Sequence, residues 1–277
     1  QMGMVAAERV FKIIDANETE IDLGDVTTND LKGNVSFQDV RFSYLPNEEV
    51  IKGITFEVKA GETVAIVGAT GAGKSTIINL LNRFYNIEKG KISIDNIDIF
   101  DYKLHELRDQ IAVVLQDVFL FSDTIYNNIT LKDTRISMDE VKEAAKEIGI
   151  HDFIMTLPND YNYNVKERGV MLSVGQRQLI AFLRASVSKP SILILDEATS
   201  SIDSHSEKLI QDATEKITHN RTSIIIAHRL ATIQKADKII VMEDGKIVEQ
   251  GNHLQLLAKK GYYSKLYNIQ FTQKKAS

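Results

Sequence analysis

The chain predicts an α/β protein in which a mostly parallel sheet is covered on both faces and is accompanied by an antiparallel β subdomain and an inserted α-helical subdomain. Three observations carry that reading. β-rich runs alternate with stretches of helical spacing along most of the length. The run VAIVGATGAGKST (64–76) passes from an apolar strand through a glycine loop into a helix. A block from about 117 to 189 reads as almost wholly helical.

The elements follow in order. VAAERVFKIID (5–15) places its apolar residues at helical spacing, and the polar ANETEIDLGDVTTNDLKG after it predicts a linker. NVSFQDVRFSY and ITFEVKAGETVAIVG predict strands with a turn at Ala60 to Glu62. After the glycine loop, IINLLNRFY has one apolar face and predicts a helix; KISIDNI and IAVVLQ predict two more strands. In ISMDEVKEAAKEIGI, Ser137 as N-cap and Glu140 three residues later form a capping box that opens a helix. SILIL (191–195), SIII (223–226) and KIIVM (238–242) restore strand character, and EDGK then predicts a two-residue hairpin turn into IVEQG.

Composition narrows the function classes. The formal charge of −5 arises from 33 basic and 38 acidic residues, a balance that offers no electrostatic footprint for nucleic acid. No cysteine is present, which excludes disulfides and thiolate metal sites and fits a reducing compartment, and the six histidines show no ligand spacing. No apolar run reaches the roughly 18 residues that cross a bilayer, and the start lacks the apolar core of a signal peptide. A first residue of Gln1 instead of methionine reads as a piece of something longer.

Two motifs then define a chemistry. Gly68, Gly73, Lys74 and Ser75 fit G-x-x-x-x-G-K-[ST], with the strand before it and the helix after it that the motif requires. The pattern predicts a P-loop NTPase core. Small residues let backbone N–H groups turn inward around a phosphate, where the helix N-terminus adds partial positive charge. Lys74 would neutralise β- and γ-oxygens and Ser75 would bind Mg²⁺. ILILDE supplies the second half: four apolar residues followed by Asp196 and Glu197 predict two acids emerging at a strand's carboxyl end, the edge where open α/β sheets bind ligands. Asp196 is placed to hold Mg²⁺ and Glu197 to orient and deprotonate a water. An alternative for Glu197 is a structural one, a strand-end acid capping the next helix.

A third stretch, LSVGQRQLIAFLRAS, begins as a helix with Ser173 as N-cap and Gln176 completing a capping box, and with Leu179, Ile180, Leu183 and Val187 on the buried face. In this order the motifs resemble the nucleotide-binding domains of ATP-binding cassette transporters, and LSVGQ is similar to their signature sequence. The resemblance implies an ATP site formed by Gly68, Ala69, Thr70, Gly71, Ala72, Gly73, Lys74, Ser75 and Thr76, with Tyr44 of RFSY stacking on adenine. It places Gln116 of VVLQD in the loop that senses Mg²⁺, beside the metal ligands Ser75 and Asp196, and against a membrane domain. It gives His228 of IIAHR to the γ-phosphate and Asp203 of SSID to a dimer crossing, with Ser173, Gly175 and Gln176 facing ATP held by a second copy. Residue-level alternatives remain: Tyr44 as an exposed strand aromatic, Gln116 as a polar strand end, and His228 as a satisfied strand-end histidine.

QDVFLFSDTIYNNI and VKERGVMLSVGQ look like the exporter branch, in which the segment Glu167, Arg168, Gly169 lies near the opposite membrane domain. The resemblance therefore implies residues 1–32 as the helix and linker after a missing transmembrane domain, and 33–277 as the ATPase domain with the helical subdomain of about 117–189 inserted. It implies Mg²⁺ and ATP as cofactors, a second nucleotide-binding domain and a transmembrane domain as partners, and a place at the cytoplasmic face of the plasma (inner) membrane. Two departures are Val174, where the signature usually has a glycine, and Lys166, where a glycine is commoner before Glu167. The expected function is hydrolysis of ATP to power export. No Asn-Lys-x-Asp stretch for guanine occurs; a non-transport cassette ATPase and a non-hydrolysing ATP-gated clamp are the rival readings.

Overall fold

The helical spacing at the N-terminus forms α1 (Met2–Ile14) in the computed structural model, which describes residues 2–15, 22–28, 30–197 and 204–269. Its apolar residues Met4, Phe11 and Ile13 are exposed. Of the described residues beyond it, the Asp22 carboxylate accepts from the Leu104 amide at 2.8 Å, and Val26 bridges Tyr102 in parallel.

Strands β1 (Val35–Ser43) and β2 (Glu49–Val58) then pair antiparallel, with Phe37 opposite Phe56 and their rings stacked at 4.5 Å. β3 (Thr63–Gly68) leads through the glycine loop into α2 (Lys74–Leu81). β4 (Lys89–Ile94) and the short β5 (Ile97–Asp98) complete a four-stranded antiparallel sheet of order β2-β1-β4-β5. Next come α3 (Leu104–Asp109), a helix that the pattern reading did not separate, and β6 (Ile111–Val114).

The helical block contains α4 (Ile125–Thr130), α5 (Met138–Ile148), α6 (His151–Met155) and α7 (Val174–Val187), with single 3₁₀ turns at Asp160–Asn162 and Glu167–Gly169. Both expected capping boxes are present, Ser137 with Glu140 and Ser173 with Gln176. The block is less helical than expected: residues 117–124, 131–137 and 156–173 lie outside its α-helices, apart from the two 3₁₀ turns, because turn-forming residues such as Pro158, Asn159 and Gly169 interrupt the helical spacing. Val187, at the last turn of α7, is half-buried and packs against the core that encloses Leu179, Ile180 and Leu183, as expected.

The chain returns to the sheet with β7 (Ile192–Asp196), crosses α8 (Ser204–Thr218) to β8 (Thr222–Ile226), and passes α9 (Leu230–Lys235) to reach β9 (Lys238–Glu243) and β10 (Lys246–Gly251). The predicted hairpin turn lies at Asp244 and Gly245, both with positive φ. α10 (His253–Lys259) and α11 (Tyr262–Tyr267) close the described chain. The second sheet has six strands in the order β10-β9-β3-β8-β7-β6; within it β10 runs antiparallel, against β9, and the other pairs are parallel.

Alternation along each parallel strand divides the core. Val64 and Ile66, Ile192 and Ile194, and Ile224 and Ile226 face a layer shared with α2 and the antiparallel sheet. Ala65 and Val67, Leu193 and Leu195, and Ile225 face the layer built from α4, α5, α7 and α8. A strand buried on both faces reads as a continuous apolar run, which is why VAIV, ILIL and SIII carry no polar alternation. The fold is a P-loop NTPase core of mixed α/β type.

β3 has parallel neighbours on both sides, β8 and β9, so its end is crowded. At Gly68, with φ +156°, a Cβ would stand 2.3 Å from the Met242 carbonyl oxygen of β9. Gly71, with φ +83°, faces open space. Gly68→Ala is therefore expected to lower stability by about 3 kcal/mol or more, through a clash that backbone must relieve. Gly71→Ala should cost only about 1–2 kcal/mol, from the left-handed backbone alone. Urea denaturation of both variants compares the two values.

Candidate functional site

The loop after β3 is set up for anion contact by what its atoms lack. Gly73 is the N-cap of α2 and offers no side-chain cap, so the first amides of the helix keep no side-chain acceptor from that residue. Ala69, Thr70, Gly71 and Ser75 are exposed, whereas Ala72, Gly73 and Thr76 are buried. Lys74 is only 8% exposed. Its Nζ donates to the carbonyl oxygens of Gly68 at 2.9 Å and Ala69 at 3.0 Å. Burial lowers its pKa, and the nearby Asp196 carboxylate opposes that shift. A loop whose buried cation is held by two neutral carbonyls retains net positive charge, which suits a polyphosphate.

The parallel pairing of β7 with β8 sets Asp196 opposite Ile226, and so brings the acids beside the residues that follow β8. Asp196 is half-buried; burial raises its pKa, Lys74 pulls it down, and Asp117 pushes it up. His228 is half-buried as well, and its pKa is lowered first by burial and then by the charge of Lys74. Lys74 thus acts electrostatically on both Asp196 and His228 at the carboxyl edge of the sheet.

Glu197 differs from its expectation. The sequence predicts an acid emerging beside Asp196, but Glu197 is buried at 6% exposure. Its Oε2 accepts from the amides of His228 at 2.9 Å and Arg229 at 3.1 Å, and its Oε1 accepts from the Thr232 hydroxyl. The reason is local. Arg229 is the N-cap of α9 and makes no side-chain cap, so a carboxylate from the adjacent strand end satisfies the helix start. Burial nevertheless raises the Glu197 pKa, against the three hydrogen bonds and Arg229, which lower it.

Tyr44 stands beside the first turns of α2, 42% exposed. Its hydroxyl donates to Thr76 Oγ1 at 3.2 Å and accepts from Asn79 Nδ2 at 3.1 Å, which ties the ring to α2. The ring meets Phe42 edge-on at 4.7 Å and Tyr85 at 5.0 Å. Asn79 and Tyr85 were not expected at this site. Their signal was weak, since both lie beyond the motif and only the fold of α2 against β1 brings them to Tyr44.

Gln116 lies two residues beyond β6 and is exposed. The third motif belongs to the other layer of the molecule, at the start of α7. There Ser173 is exposed and its hydroxyl accepts from the Gln176 amide at 3.2 Å, the Gln176 side chain accepts from the Ser173 amide at 3.0 Å, and Gly175 is buried. Among the described residues no hydrogen bond or ion pair joins this helix start to the 68–76 loop of the same chain. Val174 is 39% exposed at the first position of α7, so its side chain projects without crowding the core. Lys166 adopts φ 61° and ψ −173°, a backbone region that glycine enters without strain, which accounts physically for the commoner glycine there. Glu167, Arg168 and Gly169 form a 3₁₀ turn directly after it. Asp203 lies outside the described residues.

Among the described residues no cluster of three or more His, Cys, Asp or Glu side chains suits a metal ion, and no helix is long and apolar enough to cross a membrane. The donors that the sequence predicts, Ser75, Asp196 and Gln116, offer hydroxyl, carboxylate and amide oxygens with a single carboxylate. That set fits Mg²⁺, which takes one or two carboxylates and completes its shell with substrate phosphates and water.

A family model described as ABC transporter matches residues 51–200. A Bacillus subtilis protein named as a probable multidrug resistance ABC transporter ATP-binding/permease protein is 45% identical over 274 residues, covering 99% of this chain and 41% of its own length. An ATP-dependent lipid A-core flippase of Saccharophagus degradans is 46% identical over 272 residues, covering 98% of this chain and 46% of the relative. Among solved structures, a bacterial Atm1-family ABC exporter with ATP bound superposes with a TM-score of 0.85 at 41% identity, covering 98% of this chain and 47% of that one. The chain thus spans somewhat less than half the length of the relatives it matches. With the phosphate loop, the acidic strand end and the capped signature helix in one fold, the chain belongs to the ABC transporter family, as an ATP-binding domain of the exporter type.

Proposed function

We propose that the chain binds Mg·ATP and hydrolyses it to ADP and phosphate, as the cytosolic motor of an exporter. The observation that carries this reading is the meeting of Lys74, Asp196, Glu197 and His228 at the carboxyl ends of β3, β7 and β8. In that reading the loop 68–76 and Lys74 bind the phosphates, Tyr44 stacks on adenine, and Ser75, Asp196 and Gln116 hold the metal. Mg²⁺, when bound, neutralises charge on the phosphate oxygens. Glu197 acts as the base toward a water, and His228 and Lys74 oppose charge that develops on the γ-phosphoryl group. The raised pKa of Glu197 suits a general base, because burial brings its proton affinity closer to neutral pH.

The separation of the Ser173 helix start from the phosphate loop supports a site completed by a second domain. Two domains then close head to tail, and each Ser173, Gly175 and Gln176 meets the ATP of the other. A partner within the membrane has its own surface. A cavity of ≈ 720 Å³ opens between β6, α4 and α7, and it is lined by Leu115, Phe119, Phe121, Leu131 and Arg184, of which the first four are exposed apolar residues. We assign it to a cytosolic segment of a transmembrane domain, in keeping with a relative named as an ATP-binding/permease protein. Residues 1–32 would then be the helix and linker from that domain, and 33–277 the ATPase domain with 117–189 inserted, at the cytoplasmic face of the plasma (inner) membrane.

The deciding measurement is Mg²⁺-dependent phosphate release by Glu197→Gln. It should retain ATP binding, lose turnover on the order of 100-fold or more, and accumulate ATP-induced dimers by light scattering. Wild-type turnover in that variant removes Glu197 from the base role. Tight ATP binding by the unmodified protein without any phosphate release favours an ATP-gated clamp.

Composite sites have a separate test. Ser173→Arg and Lys74→Ala should each be inactive alone, and mixing them should restore up to about a quarter to a half of wild-type turnover per dimer, since heterodimers carry one intact site. If turnover stays at the level of the separate variants, sites shared between chains are ruled out.

A further inference from the structure

The proposed base is hydrogen-bonded on both oxygens by its own chain. Both Glu197 oxygens are engaged, Oε2 by the amides of His228 and Arg229 and Oε1 by the Thr232 hydroxyl, and the carboxylate is buried. The arrangement has the form of a helix cap supplied from a distant strand. Arg229 is the N-cap of α9 and Thr232 its third residue, the two positions that a capping box joins, and here a carboxylate from the end of β7 joins them instead.

We propose that Thr232 is a positioning residue that holds the Glu197 carboxylate in a withdrawn state, so that turnover requires the turn from His228 to Thr232 to release it. The inference rests on the reading of Glu197 as the base. A carboxylate that accepts a proton from water needs a lone pair directed at that water; of the roughly four acceptor sites of Glu197, the two amides take those of Oε2 and the Thr232 hydroxyl takes one on Oε1, which fixes the direction of the one that remains. Two of the donors are backbone amides of the turn that carries His228, the residue expected to meet the terminal phosphate. Movement of that turn toward a phosphate would therefore withdraw donors from Glu197 in the same step. The capping and catalytic roles of Glu197 then become two states of one side chain. Of the three donors, the Thr232 hydroxyl alone can be deleted without altering the backbone. Thr232 is half-buried on a six-residue helix, so a side chain of equal size can replace it.

The test uses the full chain carrying Thr232→Val, with Thr232→Ser as the conservative control. The first readout needs no nucleotide: hydrogen exchange at the His228 and Arg229 amides should accelerate on the order of 10-fold in the Val variant, the value expected when one charge-assisted hydrogen bond of the cap is lost, and should return to wild type in the Ser variant. The second is steady-state phosphate release, in which kcat should rise by a similar factor with KM for ATP unchanged. Unchanged exchange at both amides overturns the restraint. A fall in kcat in the Val variant, restored by Ser, also overturns it, because Thr232 would then orient the base for reaction instead of withholding it. If the Val variant lacks a cooperative thermal transition, Thr232→Ala carries the same expectations. Glu197→Gln run alongside separates the two ideas: retained turnover there refutes the base role, whereas the amide exchange judges the restraint independently.

Discussion

The structure depends on the crowding at the carboxyl end of β3. This strand is buried on both faces and paired on both edges, so the chain cannot leave it sideways and must turn over the end of the sheet. The turn passes against the Met242 carbonyl, which leaves no room for a side chain at Gly68. It returns as α2 with an uncapped N-terminus and with Lys74 folded beneath it. A buried ammonium needs acceptors, and the loop's own carbonyls supply them. The result is a concave group of donors whose excess positive charge is part of the fold.

The other groups are arranged around that charge. Asp196 opposes the desolvation of Lys74, and burial first, with Lys74 second, holds His228 toward its neutral form. Each of these effects joins residues at the ends of strands that lie within three places of one another in the sheet, β3, β8 and β7, but are remote in the sequence. The helical layer contributes differently. α7 packs on α4, α5 and α8, and its capped start leaves Ser173 exposed, apart from the loop of its own chain. In the proposed function the two halves of the ATP site therefore belong to separate layers, and bringing them together is a matter of association between domains.

Much of this was legible in the sequence. Apolar runs without alternation marked the buried parallel strands, because a strand covered on both faces has no polar side. Capping boxes at Ser137 and Ser173 and the turn at Asp244 and Gly245 were readable because each is decided within a few residues. The phosphate loop was readable for the same reason: its glycines, its lysine and its helix are contiguous. The resemblance to the exporter branch, with which the relatives agree, extended the expected site to Tyr44, Gln116 and His228.

What the sequence determined by itself, then, is a set of features whose partners lie within about a turn or a strand of one another: the buried strands, the capping boxes at Ser137 and Ser173, the hairpin turn and the glycine loop with its helix. Tertiary structure alone decided the direction of Glu197, since its donors lie 31 to 35 residues away and meet it only through the pairing of β7 with β8. It also decided the clamp of Asn79 and Tyr85 on Tyr44, and the left-handed backbone that Lys166 must tolerate. The physical reason is that side-chain hydrogen bonds follow the nearest unsatisfied group in space. Which group that is depends on how layers pack, and no local pattern encodes it.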